Sequence, residues 1–178
     1  MCSSDLLLAM ITLLGAGRVA AQDPRLTMRL DPATRESVIV LLDSAQARRL
    51  PTEPLVQKAL EGASKNAPGP RIIAAVRTLL GHLGTARGAL GENSGEQELI
   101  AGAAALRAGA SARSLRELRA TRPGRPLAVP LAVLTDLVAR GLSLETAYQS
   151  VLDLARKDAA DAEFFNLSRS LRENGNRP

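Results

Sequence analysis

Metal, thiol and triad chemistry would each have to start from very few side chains in this sequence. Its only histidine is His82 and its only cysteine is Cys2, so no thiolate or imidazole cluster can be assembled. The carboxylates are scattered singly and show no oxygen-ligand loop spacing. Ser94 in "GENSG" and Ser111 in "GASAR" do not stand in G-x-S-x-G elbows, and no strand pattern leads into either; both read as helix caps. His82 falls roughly 100° from the centre of its helix's apolar face, which makes it a surface residue on the wheel. A hydrolase would need carboxylates that converge only in three dimensions. With three aromatics (Tyr148, Phe164, Phe165) and no Trp, provision for stacking a sugar is poor. These patterns assign no catalytic residue, no cofactor and no metal.

Two other patterns carry the candidate function. Arg107, Arg113, Arg116, Arg119, Arg122 and Arg125 form the densest basic tract, a candidate contact surface for an acidic protein or an anionic envelope component. Steps of three along a helix drift by ~60° each, so these arginines spiral around it. No aromatic interleaves them to stack bases, which argues against nucleic acid. The second pattern is Gly81, Gly84, Gly88 and Gly91, on one side of a helical segment and away from its leucines. Each glycine costs about 1 kcal/mol relative to Ala in a helix interior. Either they allow close helix approach, within the domain or across an oligomer, or the helix breaks near Gly81 and resumes after Gly84. The oligomeric state stays open.

The N-terminus places these surfaces in a compartment. Leu6 to Gly17 is apolar or small apart from Thr12, too short to span a membrane, and Val19-Ala20-Ala21 supplies small residues for a signal peptidase. Residues 1–21 therefore read as a signal peptide cut near Ala21, giving a secreted or periplasmic protein of 157 residues out of 178. Asp5 stands where a signal peptide wants Lys or Arg, and "CSSDL" is the translation of a common sequencing-adapter end. Residues 1–5 thus read as adapter sequence. Cys2 precedes the apolar run and is no lipoprotein cysteine, and the mature part is free of disulfides. The net charge is +5, carried by 20 Arg against 3 Lys; with abundant Ala, Gly and Leu, that points to GC-rich codon usage in a bacterium.

The elements that must position these residues are all helical. "DPATRESVIVLLDSAQARR" has Asp31 as cap, Pro32 at the first helical position, and Val38, Leu41, Leu42 and Ala45 on one face. Thr52 and Pro54 open the next helix, and "APGP" breaks the chain before a helix from Arg71. "SGEQ" (94–97) is a capping box for a helix through Arg107, Ser111 opens a shorter one, and "RPGRP" ends it. "LAVPLAVLTDLVAR" is apolar nearly all round and reads as a buried core helix. Two more helices complete one domain over 22–174, and 175–178 reads as a frayed tail. The expectation is an all-α compact bundle of about eight helices, built from short antiparallel hairpins, with solenoid-like stacking as the alternative. With so few aromatics, the Ala-rich stretch 101–105 is expected to be the weakest-packed part.

A faint repeat runs through this pattern. "LPTEPLVQKALEGASKNA" (50–67) aligns without gaps on "LSLETAYQSVLDLARKDA" (142–159), and "ALRAGAS" (105–111) echoes "LVARGLS" (137–143). "LPTEPLVQKALEGASKNAPGPRIIAAVR" and "RPGRPLAVPLAVLTDLVARGLS" resemble stretches of uncharacterised, predicted-secreted all-helical proteins of GC-rich bacteria. That resemblance implies export and a helical fold, and brings no activity with it. The expected function is a non-enzymatic secreted or periplasmic protein acting through protein or envelope-surface contacts. The alternatives are a self-assembling structural envelope protein and a hydrolase.

Overall fold

A computed structural model describes residues 23–174. The expected signal peptide (1–21) and tail (175–178) lie outside the described residues. Among the described residues there are nine helices and no strand: α1 (Pro24–Arg29), α2 (Pro32–Ala47), α3 (Glu53–Ser64), α4 (Gly69–Leu90), α5 (Glu96–Arg107), α6 (Ala112–Thr121), α7 (Ala128–Ala139), α8 (Leu144–Arg156) and α9 (Asp161–Asn174).

Short polar side chains cap four of the nine described helices. Asp31 Oδ1 accepts the Thr34 N–H at 3.0 Å, with Pro32 at the first helical position. The same Asp-Pro device opens α1, where Asp23 Oδ1 accepts the Arg25 N–H at 2.9 Å. Ser111 and Ser143 cap α6 and α8 through the N–H groups of Ser114 and Thr146. The "SGEQ" box shifts by one residue. Gly95 is the cap, Glu98 Oε2 accepts its N–H at 3.2 Å, and Ser94 lies buried outside the helix.

The faint repeat marks a recurring turn. Five helices end with a residue at positive φ whose successor donates its N–H to the carbonyl five residues back, the 6→1 bond of a Schellman motif. The bonds are Leu50→Ala45, Ala67→Gly62, Ala110→Ala105, Leu142→Leu137 and Ala159→Leu154, at 2.9–3.2 Å. The residues at positive φ are Arg49, Asn66, Gly109, Gly141 and Asp158. Aligned residues therefore take equivalent positions: Arg49 with Gly141, Asn66 with Asp158, and Gly109 with Gly141. Leu50, Ala110 and Ala159 bury their side chains at these turns, which ties each turn to the core.

Packing follows chain order. All the substantial helix–helix contacts join neighbours or next neighbours along the chain. One row runs α2–α4–α6–α8, and the other holds α1–α3 and α5–α7–α9. The rows face each other through α3·α4, α4·α5 and α7·α8, and a single apolar core extends from Leu26 to Phe164. The all-α fold thus compacts its helices by stacking them in sequence. Nearly all-round apolarity suits α7, which touches α5, α8 and α9 and buries Leu131, Val133, Leu134 and Leu137.

The Ala-rich stretch is at the centre, contrary to the expectation of weak packing. α5 lies between α4 and α7, with Gly102, Ala103 and Ala105 buried. A Cβ placed on Gly102 would meet Ala86 Cβ at 3.0 Å and Leu90 Cδ1 at 3.1 Å. Small residues here bring backbones together, so the loss of side-chain area is offset by proximity.

Candidate functional site

The basic tract divides in two. Arg107, Arg113 and Arg116 are exposed and make no ion pair among the described residues. The other three turn inward or pair. Arg119 Nη2 donates to Glu98 Oε1 at 2.5 Å, and Arg125 Nη1 donates to Asp158 Oδ2 at 2.7 Å. Arg122 is only 2% exposed, with its guanidinium 5.1 Å from the Phe164 ring centroid. The reading of all six arginines as one contact surface is corrected accordingly. The helix ends at Thr121, so the last two arginines belong to a loop folded back on α8 and α9.

The glycine row is corrected as well. α4 runs unbroken through Gly81, Gly84 and Gly88, while Gly91 stands outside it as the C-cap at φ +99°. A Cβ on Gly81 or Gly88 would meet nothing within 4 Å, and one on Gly84 would fall 2.1 Å from an Arg48 Nη atom. This side of α4 therefore mediates no close helix approach within the domain. Gly102, which no local pattern singled out, fills that role.

Two grooves offer binding space. The larger, of about 1060 Å³, opens between the α4–α5 loop and the α6–α7 loop. It is lined by Glu92, Glu96, Glu98, Ile100, Arg119 and Arg125, among others. Glu98 is committed to structure: besides Arg119, its Oε1 accepts the Leu127 N–H at 2.7 Å. Arg87 closes the rim of the α4–α5 loop by donating to the carbonyls of Glu92, Ser94 and Arg49. Glu92 and Glu96 are exposed, and they are the free carboxylates that a hydrolase reading would have to use.

The second groove, of about 600 Å³, has a structural cause. Every other next-neighbour pair from α1·α3 to α7·α9 packs, but α3 and α5 make no comparable contact. Both lie on the 22-residue α4, which is long enough to carry them apart. The gap leaves Ala75, Thr78, Leu79 and His82 of α4 lining the groove. Their spacing is i, i+3, i+4, i+7, one helical stripe. Pro54, Lys58 and Glu61 of α3 form one wall, and Arg107 stands at the end of α5. His82, placed on the surface by its wheel position, is half-buried here.

The groove's charge is unbalanced. Glu61 accepts from Lys58 Nζ at 2.7 Å and from Lys65 Nζ at 2.6 Å. Those two hydrogen bonds hold its carboxyl at about 2, well below the usual carboxylate range. Glu61 thus serves Lys58 in the groove and Lys65 just outside it, and Arg107 adds a guanidinium with no counter-ion among the described residues. Among the described residues no group of three or more His, Cys, Asp or Glu could hold a metal ion, and no helix is long and apolar enough to cross a membrane.

The site and fold together define an all-helical stack with an interrupted row. Comparison of the chain with protein-family models, curated proteins and solved structures finds no match.

Proposed function

We propose that this is a non-enzymatic binding protein, exported to the periplasm or beyond, that holds a partner protein on its helical surface. The observation that carries the reading is the gap between α3 and α5. Elsewhere the stack covers an α4-type stripe with the next helix in the row, whereas here the stripe Ala75–Thr78–Leu79–His82 faces an open groove. A stripe of this kind is where a partner helix gains apolar burial. Export is supported by the apolar run and small-residue site in residues 6–21. Within this groove Glu61 is tied to two lysines, which suits a binding surface better than a catalytic one.

The test is site-specific photocrosslinking in living cells. A photoreactive residue at Thr78, inside the groove, should give a discrete protein adduct. The same residue at Arg77, exposed on α4 and roughly 150° round the helix from the centre of the groove's stripe, should give none. Equal labelling from both positions would overturn the reading.

A further inference from the structure

From the charge and shape of the α3–α5 groove, we infer that its occupant is an acidic amphipathic helix of a partner protein. The inference rests on the proposal that a protein binds there, and specifies which kind. The shape argument comes from the rows. The groove is the place of a missing neighbour, bounded by two helices and lined by one stripe of a third, so a helix continues the packing that the stack uses elsewhere. A helix also satisfies its own backbone hydrogen bonds. That matters because the described residues offer no sheet edge to pair with an extended chain.

The charge argument comes from the walls. Among the described residues the only carboxylate lining the groove, Glu61, is neutralised by Lys58 in the same wall and by Lys65 just beyond it, so the α3 wall offers no unpaired negative charge. Across the groove Arg107 is exposed and unpaired at the C-terminal end of α5. A helix presenting small apolar residues toward Ala75 and Leu79, with Glu or Asp along its flanks, would meet the Arg107 guanidinium on one wall and no unpaired carboxylate on the other. A basic helix would be repelled by Arg107.

The experiment uses the purified chain and two peptides of about four helical turns, ~14 residues each. Both carry the same Leu/Ala stripe at i, i+3, i+4, i+7 spacing; one has Glu at its flanking positions and the other Lys. Fluorescence anisotropy should show the Glu peptide binding at least tenfold more tightly than the Lys peptide, with affinity falling as salt rises. Arg107→Glu, at an exposed position, should remove most of that preference. Ala75→Trp, which fills the groove, should weaken binding of the Glu peptide.

If the Lys peptide binds equally well and Ala75→Trp weakens both, the groove is a docking site and the acidic assignment is wrong. Binding of the Glu peptide that neither substitution alters would place it elsewhere and overturn the inference. So would failure of both peptides to bind, in which case the crosslinking result at Thr78 judges the broader proposal by itself. Anionic phosphatidylglycerol vesicles serve as the competing probe. If they displace the Glu peptide and also bind the chain through Arg107, the site is a lipid surface and the helix assignment fails.

Discussion

The guanidinium of Arg122 sits 5.1 Å from the centroid of the Phe164 ring, and neither its Nε nor its Nη1 has a hydrogen-bond partner among the described residues. A buried charge compensated by a ring face alone is poorly placed, because a cation–π contact contributes ~0.5–2 kcal/mol against a desolvation cost of several. Arg122→Met should therefore leave stability unchanged or raise it. Phe164→Ala, which removes the ring from a fully buried position, should cost about 3–5 kcal/mol. Urea unfolding of the two variants decides the matter; a large loss for Arg122→Met would mean that the charge itself is needed.

Glu98 is the opposite case, a buried carboxylate with every oxygen occupied. It joins the Gly95 N–H, the Arg119 guanidinium and the Leu127 N–H, so it ties α5 to the α6–α7 loop. Glu98→Ala should destabilise by about 3–5 kcal/mol, since it strands both a guanidinium and a buried N–H. The double variant with Arg119→Met should recover part of that loss. Strictly additive losses in denaturant titration would disprove the coupling.

The glycines of α4 and α5 should respond in opposite directions. Gly81→Ala and Gly88→Ala place a methyl in open space on a continuous helix, and each should stabilise by up to ~1 kcal/mol. Gly102→Ala must push into Ala86 and Leu90 and should destabilise by about 1–3 kcal/mol. Thermal melts would show the contrast directly. Were Gly81→Ala and Gly88→Ala to disrupt an oligomer without lowering monomer stability, the exposed glycine row would be an interface between copies.

Acid should act first on the N-terminal helices. Hydrogen bonds from Arg25 lower Asp23 and, with Gln57, Glu53; Thr34 lowers Asp31; Lys58 and Lys65 lower Glu61 to about 2. Groups lowered on folding stabilise above their unfolded values of 3.8 and 4.5, and that contribution is lost as pH falls through the folded ones. Hydrogen exchange should thus show α1–α3 losing protection between pH ~4.5 and ~2, ahead of α5 and α7. Tyr148 works at the other end. Burial first, and then the Glu117 carboxylate, push its hydroxyl upward, so stability should decline above pH ~10, where the unfolded tyrosine ionises. Tyr148→Phe should remove that alkaline loss.

Much of the helical framework was legible because its signals are local. Asp31-Pro32, Ser111 and the apolar stripe Val38–Leu42–Ala45 each declare themselves within a turn or two. α1 was not, since six residues are too few to show a period. Arg122 and Arg119 were read as surface groups because their partners, Phe164 and Glu98, lie far away along the chain. The α3–α5 groove was equally invisible: it arises from two helices sharing one long helix, a fact of tertiary geometry. The Ala-rich stretch misled for the same reason. Small side chains signal loose packing only when backbones stay apart, and α5 should therefore be among the last segments to exchange.

The confinement of substantial contacts to neighbouring and next-neighbouring helices bears on how the chain acquires its structure. Contacts so close in sequence close only short loops, which lowers contact order and favours rapid folding. Each hairpin can find its surface as soon as the one before it has formed. The stack can therefore assemble progressively from one end, with each added helix completing the apolar face that its predecessor left uncovered.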